Sequence, residues 1–138
     1  MSNAKVPPEL KTQAIAAMDH SYSPYSVRQV GSVIKLTNGK VYAGCNIENS
    51  SFGATVCAER VAVWKAVSEN GGDIRIAQIV VATDASPPWA PCGLCRQVVN
   101  EFAAPDCEYF LVNKAGEEKH FLHRELLPER FDRSALGK

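Results

Sequence analysis

Two thiols two residues apart, in Pro91-Cys92-Gly93-Leu94-Cys95-Arg96-Gln97, constrain this chain more than any other stretch. At the start of a helix such a pair grips one metal ion with two ligands, and the fold must deliver whatever completes the set. A further cysteine lies thirty-odd residues upstream, in Thr55-Val56-Cys57-Ala58-Glu59-Arg60, with a carboxylate two positions on. About 200° of helix would separate Cys57 from Glu59, so the glutamate need not bind the same ion and is free to carry protons. Three sulfurs and a non-ligating glutamate describe a zinc site with its fourth corner open to water. Open zinc sites do chemistry, whereas closed ones hold folds together. The pattern implies a hydrolytic zinc enzyme.

The rest of the chain reads as the frame for that site. Leu10, Ala14, Ala17 and Met18 recur at helical spacing after Pro7-Pro8. Val27 to Leu36 and Val41 to Cys45 are strands joined at Asn38-Gly39, the strongest short hairpin signal. Cys57 to Glu69 reads as a largely buried helix stopped by Asn70-Gly71-Gly72, and Ile74 to Thr83 as a central strand covered on both faces. A helix follows Cys92, with Pro105 just past its end; Glu108 to Asn113 and Glu117 to Leu122 form a second hairpin, and a short helix spans His123 to Leu127. This order predicts an α/β fold: a single mixed five-stranded sheet sandwiched by helices, one domain over 1–138, with 1–7 disordered or vector-derived.

Composition limits the partners. Fifteen basic and fifteen acidic residues cancel, which argues against a nucleic-acid polymer, since such binding needs a basic surplus. No run approaches the ~18 apolar residues of a membrane span, and the N-terminal segment lacks the apolar core of a signal peptide. Five cysteines, three at metal-like spacing, fit reduced thiols in the cytoplasm better than disulfides.

Both thiol segments fall where a loop enters a helix, so unpaired amides and the helix dipole favour the thiolates that bind metal. Arg60 and Arg96, beside Glu59 and Cys95, are candidates to offset the thiolate charge from the surrounding shell. A blander reading has Cys45 as fourth ligand of a closed, non-catalytic zinc-stapled module. Cys107 reads as an ordinary core cysteine, Trp64 and Phe102 as core, and His20, His120 and His123 as surface or capping residues. From the residues alone, Asn46 and Glu48 read as a turn capping its own backbone.

Cys57-Ala58-Glu59-Arg60 together with Pro91-Cys92-Gly93-Leu94-Cys95-Arg96-Gln97 resembles the zinc signature of the cytidine deaminase superfamily. Tyr22-Ser23-Pro24-Tyr25-Ser26 with Val30-Gly31, Gly44-Cys45-Asn46-Ile47-Glu48-Asn49, and Glu125-Leu126-Leu127-Pro128 resemble further motifs of its small tetrameric members. The resemblance implies zinc on Cys57, Cys92 and Cys95, and Glu59 as the proton carrier. It implies a nucleoside held by the Asn46-Ile47-Glu48 loop, with Asn46 and Glu48 on the ribose hydroxyl and the Ala58 backbone on the base. Phe131 would reach a neighbouring subunit's site, giving a homotetramer. The implied reaction turns cytidine or deoxycytidine into uridine or deoxyuridine plus ammonia, in pyrimidine salvage. One position departs: Arg28 stands where the family usually has Phe near the substrate. A planar cation can stack on a base and also invites an anion, so a deaminase of modified cytosine nucleosides, of the blasticidin S type, is the alternative. Trp89 is a further candidate for the rim of the site.

Overall fold

The structure is a computed structural model and describes residues 4–138. Helix α1 (Pro8–Met18) opens on proline, whose missing amide proton costs nothing in a first turn. Strands β1 (Val30–Leu36) and β2 (Val41–Cys45) are followed by a 3₁₀ turn and by α2 (Ala58–Asn70). Then come β3 (Ile76–Thr83), α3 (Gly93–Asn100), β4 (Ala103–Val112), β5 (Glu118–Leu122) and the short α4 (His123–Leu126). Both hairpin turns form where the sequence places them, with Gly39 and Gly116 at φ +91°, a backbone region that glycine enters without penalty.

The five strands make one sheet in the order β2-β1-β3-β4-β5, parallel between β3 and β4 and antiparallel elsewhere. Register decides which residues share a face. Val33, Val80 and Phe110 form one row across the sheet; Ile34, Ile79 and Tyr109 form the adjacent row. The first row packs under α1 against Leu10, Ala14 and Met18. The second packs under α2 and α3 against Ala62, Val63, Ala66 and Val99. Each fully buried aliphatic side chain in these layers contributes about 1.5–3 kcal/mol. The mixed sheet sandwiched by helices is therefore the observed architecture.

Two glycines set how closely the helices lie. A Cβ on Gly31 would stand 2.0 Å from the Ala14 carbonyl oxygen in α1. One on Gly44 would stand 2.6 Å from the Ala58 carbonyl oxygen in α2, on the opposite side. Each helix rests its backbone directly on a strand.

Several expectations need correction. Strand β4 begins at Ala103, not Glu108, and Pro105 lies inside it; the register with β3 slips between Ile76 and Gln78, and an irregular ladder tolerates a residue with no amide proton. Trp64 is half exposed, its ring covered by the Arg60 guanidinium at 5.9 Å rather than by core. His120 and His123 are buried: one pairs with Glu108 at 2.8 Å, the other with Asn100 Oδ1 at 2.9 Å. Val6 is buried in the α1 layer, so order extends into the segment expected to be loose; residues 1–3 lie outside those described. Among the described residues, no helix is long and apolar enough to cross a membrane.

Candidate active site

The two thiol segments meet because α2 and α3 pack side by side on one face of the sheet. Cys57 and Cys92 are the residues at which these helices begin, both in extended backbone, and Cys92 Sγ accepts the Cys95 amide at 3.4 Å. The three sulfurs lie within 4.8 Å of one another, with Cys57 and Cys92 3.8 Å apart. Zinc–sulfur bonds of about 2.3 Å at tetrahedral angles put sulfurs roughly 3.8 Å apart. The Cys57–Cys92 separation matches that spacing, and three thiols are a donor set suited to zinc. Among the described residues no fourth ligand joins it. Cys45 lines a different cavity, beside Lys65, and Cys107 is core, its thiol pushed up to about 12 by burial.

The surrounding charges suit thiolates. Arg60 Nη2 donates to Cys57 Sγ at 3.4 Å. A hydrogen bond from the Cys95 thiol, and then the Arg60 guanidinium, pull Cys57 down to about 5, while donating that bond pushes Cys95 up. Arg96 does something else. Its Nε donates to the Pro91 carbonyl and its Nη1 to the Leu126 carbonyl, both at 2.8 Å, so it fastens the thiol loop to α4 instead of facing the sulfurs. Glu59 is 3% exposed, and its Oε1 is buried with no hydrogen-bond partner. Burial, followed by the Cys57 thiolate, raises its carboxyl to about 7 against the backbone bond and the Arg60 charge that lower it. A buried, unpaired carboxyl is costly to a fold and is kept where a proton must be moved.

Glu59, Cys57 and Cys92 open onto a cavity of about 330 Å³, a volume suited to a small organic molecule. Another cavity, of about 370 Å³ between α1 and α2, is lined by alanines and Val61 together with Gln13, His20, Cys45 and Lys65, and lacks the three-sulfur cluster. The smaller one holds the chemistry. Asn46 and Glu48 both line it, and both are already engaged with the segment that crosses its mouth. Asn46 accepts the Val30 amide at 2.9 Å and donates to the Arg28 carbonyl at 2.8 Å. Glu48 Oε1 accepts the Tyr25 and Ser26 amides at 3.0 and 3.1 Å, and Oε2 accepts the Ser26 hydroxyl. The Ser26 hydroxyl, foremost, holds the Glu48 carboxyl below the usual range. These side chains thus brace the segment leading into β1 rather than their own turn.

Ile47 and Ala58 are not cavity walls: Ile47 is tied by its backbone to Val56 and its side chain is 42% exposed, while Ala58 is fully buried against Gly44. Phe131 is 58% exposed and lines no part of this chain's cavity; its carbonyl is held by Gln97 and Asn100 of α3. Arg28 and Trp89 do stand in the wall, with the guanidinium 5.0 Å from the ring centroid. Sequence reasoning gave no role to Ser26, Thr55 or Thr83, which also face the cavity. Thr83 ends β3, and the carboxyl ends of strands in open α/β sheets are where ligands bind, a signal available from the strand assignment. Val27 carries φ +61°, a left-handed conformation unusual for a β-branched residue, and its two neighbours Ser26 and Arg28 both face the cavity.

Three sulfurs closing three corners, with a carboxyl beside them that has one oxygen buried and unpartnered, belong to a hydrolytic metal enzyme and not to a structural zinc staple. Residues 6–111 match the model of the cytidine and deoxycytidylate deaminase zinc-binding region, and the chain belongs to that family. It is 43% identical over 119 residues to a cytidine deaminase of Halalkalibacterium halodurans, covering 86% of this chain and 89% of that one. It is 38% identical over 129 residues to a cytidine deaminase of Sporosarcina psychrophila, covering 94% and 93%. A crystal structure of cytidine deaminase from Burkholderia pseudomallei superposes with a TM-score of 0.84 at 38% identity, covering 92% of this chain and all of that one. The cofactor of this chain is zinc, which the Cys57, Cys92 and Cys95 sulfurs are placed to hold.

Proposed function

We propose that this chain hydrolyses the 4-amino group of cytidine and deoxycytidine, giving uridine or deoxyuridine and ammonia. The observation that carries the reading is Glu59 Oε1, buried without a partner at the edge of a nucleoside-sized cavity and beside the three-sulfur cluster. Cys57, Cys92 and Cys95 would hold the zinc, which would supply Lewis-acid activation of a water molecule. As a water oxygen bonds to C4, Glu59 would take one of its protons and pass it to N3 of the pyrimidine; it would then take the second proton from the new C4 hydroxyl and give it to the amine as the C4–N bond breaks and C4=O forms. A carboxyl whose affinity for a proton is raised by burial suits both halves of that task. Asn46 and Glu48 present acceptors to the ribose hydroxyl from a segment already fixed by its own hydrogen bonds.

The outward-facing Phe131 and the exposed Tyr25–Phe52 ring pair near the cavity support a homotetramer in which neighbours complete each other's sites. Five free cysteines support a reducing, cytoplasmic setting. Pyrimidine salvage follows from the nucleoside substrate, and no membrane or nucleic-acid polymer is a partner. The test is ammonia release from cytidine and deoxycytidine by the zinc-loaded protein. Turnover abolished by chelation and restored by zinc is expected; absence of turnover on both nucleosides refutes the reading.

A further inference from the structure

The cavity wall contains one cation among the described residues, Arg28, and two carboxylates, Glu48 and Glu59. A lone guanidinium at the mouth of a nucleoside site would be expected to attract phosphate, which it matches in shape and charge. Here it is otherwise engaged. Arg28 Nη1 lies 3.3 Å from Asp84 Oδ1, and one face of the guanidinium rests over Trp89. Asp84 does not line the cavity; its other oxygen accepts the Gln29 amide at 3.1 Å, which fixes the carboxylate relative to the Arg28 segment. Trp89 is fixed in turn, its amide donating to Thr83 Oγ1 at 3.1 Å. What the cavity meets is therefore a flat stacked surface whose charge is matched from outside. The remaining acidic side chains in the wall, Glu48 and Glu59, offer an anion no attraction.

We infer that Asp84 is a specificity-determining residue: by holding the Arg28 charge it makes this cavity accept an uncharged nucleoside and turn away the same nucleoside carrying a phosphate. The inference rests on the nucleoside reading above, and it concerns Asp84, which touches no substrate. Asp84→Asn removes the charge while leaving an oxygen for the Gln29 amide, so Arg28 loses its acceptor and keeps the Trp89 stack with its charge unmatched.

The experiment compares uridine with uridine 5′-monophosphate by calorimetry on the zinc-loaded protein, and cytidine with cytidine 5′-monophosphate by kcat/KM. Asp84→Asn is expected to shift both ratios towards the monophosphate by about tenfold, the scale of one charge-assisted contact. The shift should shrink as salt is added and vanish in the Asp84→Asn, Arg28→Gln double variant. Unchanged ratios in Asp84→Asn, or a shift that survives loss of Arg28, overturn the inference. If the wild-type protein fails to turn over cytidine, the proposed function falls, while the binding ratios still decide the role of Asp84.

Discussion

The space above Gly44 is filled by the Ala58 carbonyl: a Cβ there would lie 2.6 Å from that oxygen and 2.6 Å from the Ala62 amide nitrogen. Both obstacles are backbone, so neither can turn aside as a side chain would. Gly44→Ala should therefore push the start of α2, with Cys57 and Glu59, off the sheet. The expected cost is about 1–3 kcal/mol, the usual range for overpacking, with a parallel loss of zinc affinity. Calorimetric melting with metal analysis checks this; an unchanged Tm would mean the contact is softer than its geometry.

The sulfur cluster separates the cysteines into two kinds. Cys95→Ser removes a buried ligand from a set of three and should leave the purified protein substoichiometric in zinc. Cys45→Ser, at the wall of the other cavity, should keep one zinc per chain. Mass spectrometry of the metal under native conditions reads both variants. Loss of zinc from Cys45→Ser would restore the closed, four-sulfur site.

Glu59 binds no metal in this arrangement, so Glu59→Gln should retain zinc while kcat falls on the order of 10²–10⁴. The amide keeps the shape and loses the exchangeable proton. Full activity in that variant would move the proton-transfer role to another group.

His123 gives a pH dependence whose sign can be worked out. Burial, and then the Arg130 charge, hold its pKa below the ordinary 6.5, so the folded protein keeps the ring neutral against Asn100. The unfolded chain takes up the proton first as pH falls. Stability from this residue is then complete above 6.5 and declines as pH drops towards the folded value. Urea denaturation across this range should show that decline in the wild type and a flatter profile in His123→Gln. Identical profiles would place the ring in solvent.

Much of this molecule is legible from its residues. The Cys57 and Cys92-Cys95 spacing, the two Asn-Gly and Ala-Gly turns and the β-rich run before Thr83 carry local signals strong enough to survive tertiary context. Arg96 shows the limit. Its neighbour Cys95 suggests a role at the sulfurs, yet a long side chain goes where unpaired carbonyls await it, and only the fold brings Leu126 within reach. Trp64 shows another: helical periodicity marks it as apolar stripe, but the stripe on α2 is narrower than the run of apolar letters, and Arg60 shields what the sheet does not. The Arg28–Asp84 pair joins residues 56 apart in sequence and has no local signature at all.

Val27, left-handed at φ +61°, is a spring compressed into the lip of the pocket. The latch holding it includes Glu48, which gathers the amides of Tyr25 and Ser26 immediately upstream. Truncating Glu48 would therefore release the lip as well as delete an acceptor, and the two losses would arrive together. Any experiment that credits Glu48 with gripping a sugar must first show that the lip stayed shut.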